Sequence, residues 1–372
     1  MHLFKRLFHL HSPEHILNAD LVRVLALFGV VGIHLLNPIY ARPDFFGGKF
    51  WWICFVLNSL FRASVPLFVM LSGYLLLGKK TTVRENMVRT WRRIVLPLLS
   101  FYVLVNVVRI VITASRGKEF DFNSLLSNLN TASGSYLYFL VIILFLYLLI
   151  PVLQLVFEQH DQLLPKYVIG LFFANAVLAT MARYFSLRAG DIFNTYTIWV
   201  MWIGYFMLGY WIRLNLENFG RYRKQCIAVF AIGLMVTLGA GYWSWQQHWL
   251  GNDAMYISGV TYPEEYLSVN VVIMAVSTFV LLMTAKLPKW LRDEAPAASL
   301  LPKLAGLSFG VYLFHVLIMD LLNNFAGVTA DSPYMPNLFA YVLINSILTV
   351  GLSLVVSAIT NKTRFFRWLV GK

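Results

Sequence analysis

Continuous apolar runs recur along the whole chain, and they constrain its fold more than any other feature. The clearest run reads SYLYFLVIILFLYLLIPVL over residues 135–153. An α-helix needs about 20 mostly apolar residues to cross a bilayer, whereas a membrane β-strand would alternate in polarity. The runs therefore predict an all-α polytopic membrane protein with about ten transmembrane helices. They lie near residues 20–40, 51–77, 94–114, 135–157, 167–185, 194–213, 225–245, 267–285, 303–323 and 338–360.

Composition supports the same class of protein. Of 372 residues, 59% are hydrophobic and 13% are charged, and the mean hydropathy is +0.68. Soluble domains carry about 25% charged residues, so a water-soluble fold of this length could not bury so much apolar surface. Cys54 and Cys226 lie in or beside apolar runs and form no CxxC pair, so neither a metal site nor a disulfide framework is expected.

The distribution of basic residues predicts the orientation. The net charge is +13, which in a soluble chain would suggest nucleic acid as a partner. With a cytoplasmic N-terminus, most Lys and Arg residues fall in cytoplasmic segments, as the positive-inside rule requires, and no nucleic-acid partner is expected. We therefore predict a cytoplasmic tail at 1–19, a transmembrane domain at 20–360 and a second cytoplasmic tail at 361–372.

The first apolar run contains two ionisable side chains that are costly inside a membrane. Arg23 and His34 share one helix face and stand roughly 16 Å apart in depth. This places Arg23 near the cytoplasmic boundary and His34 near the middle of the membrane. Asp20 lies three residues before Arg23 and can orient it as an i,i+3 partner. The alternative is structural: Arg23 reaches the interface, and His34 makes a hydrogen bond between helices.

Two further basic residues are predicted at a similar depth to His34. Arg62 lies in the second run and His315 in the ninth, each far enough from the ends to face the bundle interior. We expect a polar chamber where these residues converge, although a structural ion pair at Arg62 is the alternative. Arg109 and Asp320 fall nearer the outer face, where we expect them to line the outer exit of this chamber. For Asp320, an ordinary position at the membrane–water interface is the alternative.

The loop after the second run carries arginines at helical spacing. It reads GKKTTVRENMVRTWRRIVLP and includes Arg89, Arg92 and Arg93. A guanidinium presents a planar fork that suits phosphate oxygens, so these residues are candidates for a phosphate clamp. Anchoring to anionic lipid is the alternative.

An acidic pair follows Pro263 in a predicted outer loop. Glu264 and Glu265 are interpreted as a solvated turn, with contact to a sugar as the alternative.

Several motifs, taken in order, resemble the acyltransferase-3 family of membrane acyltransferases. The family's D-x-x-R start, and the histidine separated from that arginine by ten intervening residues, match Asp20, Arg23 and His34. The second run contains VPLFVMLSGYLLL, similar to the family's VPLFFxxSGxLL. R-x-x-R matches Arg89 and Arg92. The family's R-I-x-x-P and S-x-x-x-Y-x-x-H elements are matched by Arg93, Ile94, Pro97, Ser308, Tyr312 and His315. The stretch LNSLFRASVPLFVMLSGYLLL is similar to the branch that contains the enterobacterial common antigen O-acetyltransferase.

The resemblance implies acyl transfer from cytoplasmic acyl-CoA, most often acetyl-CoA, to a hydroxyl of a cell-envelope glycan or its lipid-linked precursor. The expected location is the bacterial inner membrane, with no permanently bound cofactor and no oligomeric state specified. His34 is then the general base or a covalent acyl carrier, Arg23 holds a phosphate or shapes the thioester channel, and Asp20 supports Arg23. The arginines of the loop bind CoA. The candidates for orienting the acceptor or stabilising an oxyanion are Arg62, Ser72, Tyr74, Tyr312 and His315.

A transporter or flippase for a lipid-linked or anionic substrate is the main alternative. Buried Arg and His side chains near the midplane also suit a transport pathway. Transporters, however, often contain repeated halves with paired broken helices, and no such repeat is evident here.

Overall fold

A computed structural model describes residues 13–117, 136–158, 163–184, 199–257, 260–292, 296–332, 337–363 and 366–371. The described structure is almost entirely helical. Its α-helices, numbered α1 to α15, are Pro13–Tyr40, Lys49–Phe61, Ser64–Leu76, Val83–Thr90, Leu96–Ser115, Tyr138–Leu148, Ile150–Glu158, Leu163–Tyr184, Trp199–Leu214, Leu216–Arg221, Arg223–Trp249, Val269–Met283, Lys289–Arg292, Pro296–Phe325 and Leu338–Lys362. Two short strands, β1 (Tyr256–Ile257) and β2 (Val260–Thr261), pair antiparallel.

The helices agree with an all-α polytopic membrane protein. Within the described residues, seven helical segments are long and apolar enough to cross a membrane. The bent pair α6 and α7 makes an eighth if the two count as one span. The predicted runs near 167–185 and 194–213 overlap α8 and α9, neither of which is among these seven segments; within α8, Leu163–Ala174 is a shorter apolar stretch. The count of ten and the cytoplasmic termini therefore stay predictions.

The chain divides into two compact units. The first comprises Met1–Leu75, Tyr167–Arg188 and Tyr205–Ser308, and the second comprises Leu76–Lys166, Ala189–Gly204 and Phe309–Lys372.

In the first unit, α3 and α9 are in direct backbone contact. A Cβ atom added at Gly73 would lie 1.8 Å from the carbonyl oxygen of Phe206, and one at Gly209 would lie 1.9 Å from that of Met70. Only glycine permits two backbones to approach so closely, and such contacts are characteristic of helix packing in membranes. These glycines hold α3 in place after Arg62.

The long second span is interrupted at Arg62, between the end of α2 and the start of α3. Arg62 still donates its backbone N–H to the carbonyl of Asn58, so the chain continues in nearly the same direction. Pro66 in the first turn of α3 lacks an N–H and is tolerated there. The interruption directs the Arg62 side chain into the first unit.

In the second unit, the short helix α4 and a π-helical turn precede α5. Thr82 and Glu85 form a reciprocal capping box that starts α4. The π-helical turn Trp91–Val95 then joins α4 to α5. Asn86 donates its side-chain amide to the carbonyl of Tyr147 over 2.7 Å, which ties α4 to α6. The 3-10 turn Arg367–Val370 packs against this region near the end of the chain.

Candidate active site

The start of α1 carries the first predicted pair. Arg23 Nη1 lies 3.1 Å from Asp20 Oδ1, and both side chains are partly buried. This is the i,i+3 contact that the spacing predicts. The ion pair holds the guanidinium in a defined direction, which either a positioning role or a purely structural role would use.

His34 lies eleven residues further along α1, on a partly buried side of the helix. Just before His34, α1 packs tightly on the junction of α2 and α3 that contains Arg62: a Cβ atom built at Gly32 would lie 2.5 Å from the Phe61 ring, and one at Gly29 would meet Ser64 Oγ. The structure thus brings together two predicted site residues from different spans.

Arg62 is buried, as predicted for a side chain too deep to reach the interface. Only 4% of its surface is exposed, and Nη2 donates a 2.8 Å hydrogen bond to the Tyr40 hydroxyl. Its Cζ atom lies 5.7 Å from the centroid of the Tyr266 ring. A buried guanidinium requires compensating partners. Here Tyr40 and Tyr266 contact it directly, and the carboxylates of Glu264 and Glu265 add negative charge in the same surroundings.

The interpretation of the acidic pair as a solvated turn is wrong for Glu264. This side chain is fully buried, and its Oε2 accepts hydrogen bonds from Trp245 Nε1 at 2.9 Å and Thr261 Oγ1 at 2.8 Å. The 3-10 turn after β2 directs the carboxylate inward, because Thr261 caps it through the T-x-x-E spacing. That spacing is the sequence signal that could have identified Glu264; Glu265 remains half-buried.

The other candidates of the first unit, Ser72 and Tyr74, lie on α3. Arg213 donates to the Tyr74 carbonyl at 2.8 Å, and its guanidinium lies 5.4 Å from the centroid of the Tyr74 ring. Ser72 is half-buried. The Tyr74 contacts anchor α9 to α3, which is a structural contribution.

The arginines of the loop line one surface pocket in the second unit. The pocket has a volume of about 650 Å³ and is lined by Thr82, Arg84, Glu85, Val88, Arg89, Arg92, Arg93 and Gly371. Arg92 and Arg93 are exposed and belong to the π-helical turn, a feature frequent at functional sites. Its wider winding changes the angle between successive side chains. The pocket therefore combines several guanidinium groups with a single carboxylate.

Gly371 completes the wall of this pocket. Its φ angle of +69° lies in the left-handed region, and a Cβ atom there would approach the Arg93 carbonyl oxygen to 2.8 Å. The end of the chain thus supports the backbone that carries Arg93.

Tyr312 and His315 lie together on α14 in the second unit. His315 is fully buried, and its Nδ1 lies 2.6 Å from the Tyr312 carbonyl, so Nδ1 is the donor. The Tyr312 hydroxyl donates to the carbonyl of Tyr136 at 2.6 Å. Tyr136 in turn donates to the Leu313 carbonyl. These bonds fasten α14 to the chain before α6. The predicted common depth of His315 with His34 and Arg62 stays a prediction.

Arg109 and Asp320, predicted near the outer face, are electrostatic neighbours in the second unit. Both also act on the Tyr136 side chain. The pair therefore belongs to the surroundings of Tyr136. Within the described residues, no group of three or more His, Cys, Asp or Glu side chains is arranged to hold a metal ion.

The comparison with known families covers nearly all of these residues. A family model described as an acyltransferase domain, that of the acyltransferase-3 family, matches residues 16–358. No curated relative matches the chain, and no solved structure does.

Proposed function

The chain belongs to the acyltransferase-3 family, and from this premise we propose that it is a membrane O-acetyltransferase. In this proposal it moves an acetyl group from cytoplasmic acetyl-CoA to a hydroxyl of a cell-envelope glycan or its lipid-linked precursor. The similarity of residues 57–77 to the enterobacterial common antigen branch supports a glycan acceptor. The protein would reside in the bacterial inner membrane with the tails 1–19 and 361–372 in the cytoplasm, flanking the transmembrane domain 20–360.

The observation that carries the proposal is the close packing of α1, at Gly29 and Gly32 just before His34, against Phe61 and Ser64 on either side of Arg62. A general base must be close to the attacking hydroxyl, and a developing oxyanion needs a fixed cation or donor nearby. An imidazole beside a buried guanidinium provides both groups. His34 takes the hydroxyl proton as the oxygen attacks the thioester carbonyl. Arg62 stabilises the negative charge on the carbonyl oxygen, and His34 returns the proton to the departing CoA thiolate.

Asp20 and Arg23 support this chemistry from the start of α1. The ion pair fixes the guanidinium on the same helix as His34, on the face predicted to meet the donor. In the proposal, Arg23 guides the thioester arm of the donor, and Asp20 acts through Arg23 as a positioning residue.

The arginine pocket of the second unit supports CoA as the donor. CoA carries several phosphate charges, and Arg side chains bind phosphate with paired, charge-assisted hydrogen bonds. Arg89, Arg92 and Arg93 line a pocket large enough for a nucleotide-sized group. Acetyl-CoA would bind as a substrate that leaves as CoA, with no permanently bound cofactor.

The test is transfer of radiolabel from acetyl-CoA to glycan in membranes containing the full chain or its His34→Ala variant. We expect transfer by the wild type and loss of transfer by the variant at equal membrane abundance. Gln225→Ala is the control, because Gln225 is exposed near the start of α11 and belongs to neither proposed site. Full transfer by His34→Ala would remove His34 as base, and label-free movement of a glycan lipid without acetylation would indicate a transporter.

A further inference from the structure

Three buried residues at the end of α2 carry polar atoms without a partner among the described residues. Both amide atoms of Asn58, the hydroxyl of Ser59 and the Nε of Arg62 make no hydrogen bond there. Asn58 and Ser59 are fully buried. Buried polar groups are nearly always hydrogen-bonded, because leaving one unsatisfied costs about 1–3 kcal/mol. A cluster of them on one helix turn indicates a place where a ligand supplies the partners.

Glu264 adds an acceptor of the same kind. While Oε2 is held by Trp245 and Thr261, the buried Oε1 accepts no hydrogen bond from the part of the chain that the structure describes. The hydrogen bonds to Oε2 fix the position of the carboxylate, and Oε1 can accept a hydrogen bond from a ligand.

Gly241 on α11 shows that Glu264 and α2 lie close together. A Cβ atom built there would lie 3.1 Å from the Phe55 ring and 3.7 Å from Glu264 Cγ. Phe55 precedes Asn58 and Ser59 by one helical turn, so all three lie on one side of α2. At the other end, the Tyr266 ring, two residues after Glu264, lies 5.7 Å from Arg62 Cζ and so places this turn beside Arg62 as well.

The chemistry of these atoms favours a neutral ligand with several hydroxyl groups. The charges of Arg62 and Glu264 offset each other, so neither a phosphate nor a cation is preferred at this position. Each sugar hydroxyl can donate one hydrogen bond and accept others, which matches a mixture of amide, hydroxyl, guanidinium and carboxylate groups. Tyr266 adds an aromatic ring beside the guanidinium.

We propose that these residues form a subsite for the sugar hydroxyls of the acyl acceptor. Its members are Asn58, Ser59, Arg62 and Glu264. The inference rests on the proposed transfer to a glycan and assigns the acceptor to the first unit, beside His34. Glu264 and Asn58 orient the sugar ring, so that one hydroxyl faces the imidazole.

Binding of simple sugars to the purified full chain in lipid nanodiscs tests the subsite. Tryptophan fluorescence is followed during titration with the methyl glycosides of glucose, galactose and N-acetylglucosamine. Sorbitol serves as an acyclic polyol control. We expect a saturable change with at least one glycoside, because Trp245 contacts Glu264 directly. Absence of a saturable change with all three glycosides overturns the proposal.

Two conservative variants locate the binding. Glu264→Gln should weaken glycoside binding about tenfold, and Ser59→Ala about fivefold, as expected for losing a charged and a neutral hydrogen bond. Ser59→Ala removes a hydroxyl that bonds nothing in the described structure, so its folding should be unaffected. Ser244→Ala is the matched control, because that buried hydroxyl donates to the Ala240 carbonyl of its own helix. Glycoside affinity unchanged in both test variants overturns the subsite.

Transfer of radiolabelled acetyl groups, measured separately, distinguishes the two proposals. If the wild type acetylates glycan while both test variants bind sugar normally, the subsite fails and the proposed function stands. If the test variants lose sugar binding while the wild type transfers no label from acetyl-CoA, the proposed function fails and a sugar site remains.

Discussion

Replacing Arg89 and Arg92 with alanine removes two of the guanidinium groups that line the pocket of the second unit. Arg92 is exposed and Arg89 half-buried, so water and salt weaken their interactions with a phosphate. Each contact is therefore worth about 1 kcal/mol, below the roughly 1.5–3 kcal/mol typical of hydrogen bonds to charged groups. Together they contribute about 2 kcal/mol, and the acetyl-CoA dissociation constant should rise roughly 30-fold.

Calorimetry on the full chain in nanodiscs of neutral lipid measures this constant without competition from anionic lipid. Arg89→Lys with Arg92→Lys keeps the charge but removes the planar fork, and it should weaken binding less than the alanine pair. Arg221→Ala is the control, because Arg221 is exposed in the first unit and lies outside the pocket. Higher salt should weaken wild-type binding more than binding by the alanine pair.

An unchanged dissociation constant in the alanine pair would refute the assignment of the pocket to CoA. The same arginines would then serve to anchor the chain to anionic lipid. In that case the alanine pair should bind less tightly to vesicles containing anionic lipid, with acetyl-CoA affinity intact.

Two further predictions concern the first unit. Gly73→Ala should lower the free energy of unfolding by about 1–3 kcal/mol and reduce the thermal unfolding midpoint, because the new methyl group would overlap the Phe206 carbonyl. Gly170→Ala is the control, because its methyl group would face open space. Equal unfolding midpoints for the two variants would show that α3 and α9 can separate freely. Tyr40→Phe removes the hydroxyl that accepts from Arg62, so the rate of acetyl transfer should fall about tenfold while acetyl-CoA affinity is unchanged. Tyr222→Phe on the exposed surface should not change the rate, and an unimpaired Tyr40→Phe enzyme would contradict a positioning role for Tyr40.

Features set by neighbours along the chain were predictable from the sequence. Membrane-spanning helices can be predicted from long apolar runs, because the length and the hydrophobicity of a span are both properties of one continuous segment. The ion pair of Asp20 with Arg23 follows from helical spacing, and the burial of Arg62 follows from its distance to either end of a span. Arg89, Arg92 and Arg93 recur at a spacing that could bring them to one pocket.

Features that join distant parts of the chain were decided by the tertiary structure. The T-x-x-E spacing predicts only the local cap between Thr261 and Glu264; it does not indicate that Trp245 of α11 donates to the same carboxylate. The interruption at Arg62 and the π-helical turn at Trp91–Val95 also depend on what the helices pack against. A buried charge is stable only where folding supplies its partners, so the sequence identified the costly residues and the tertiary structure determined what surrounds them.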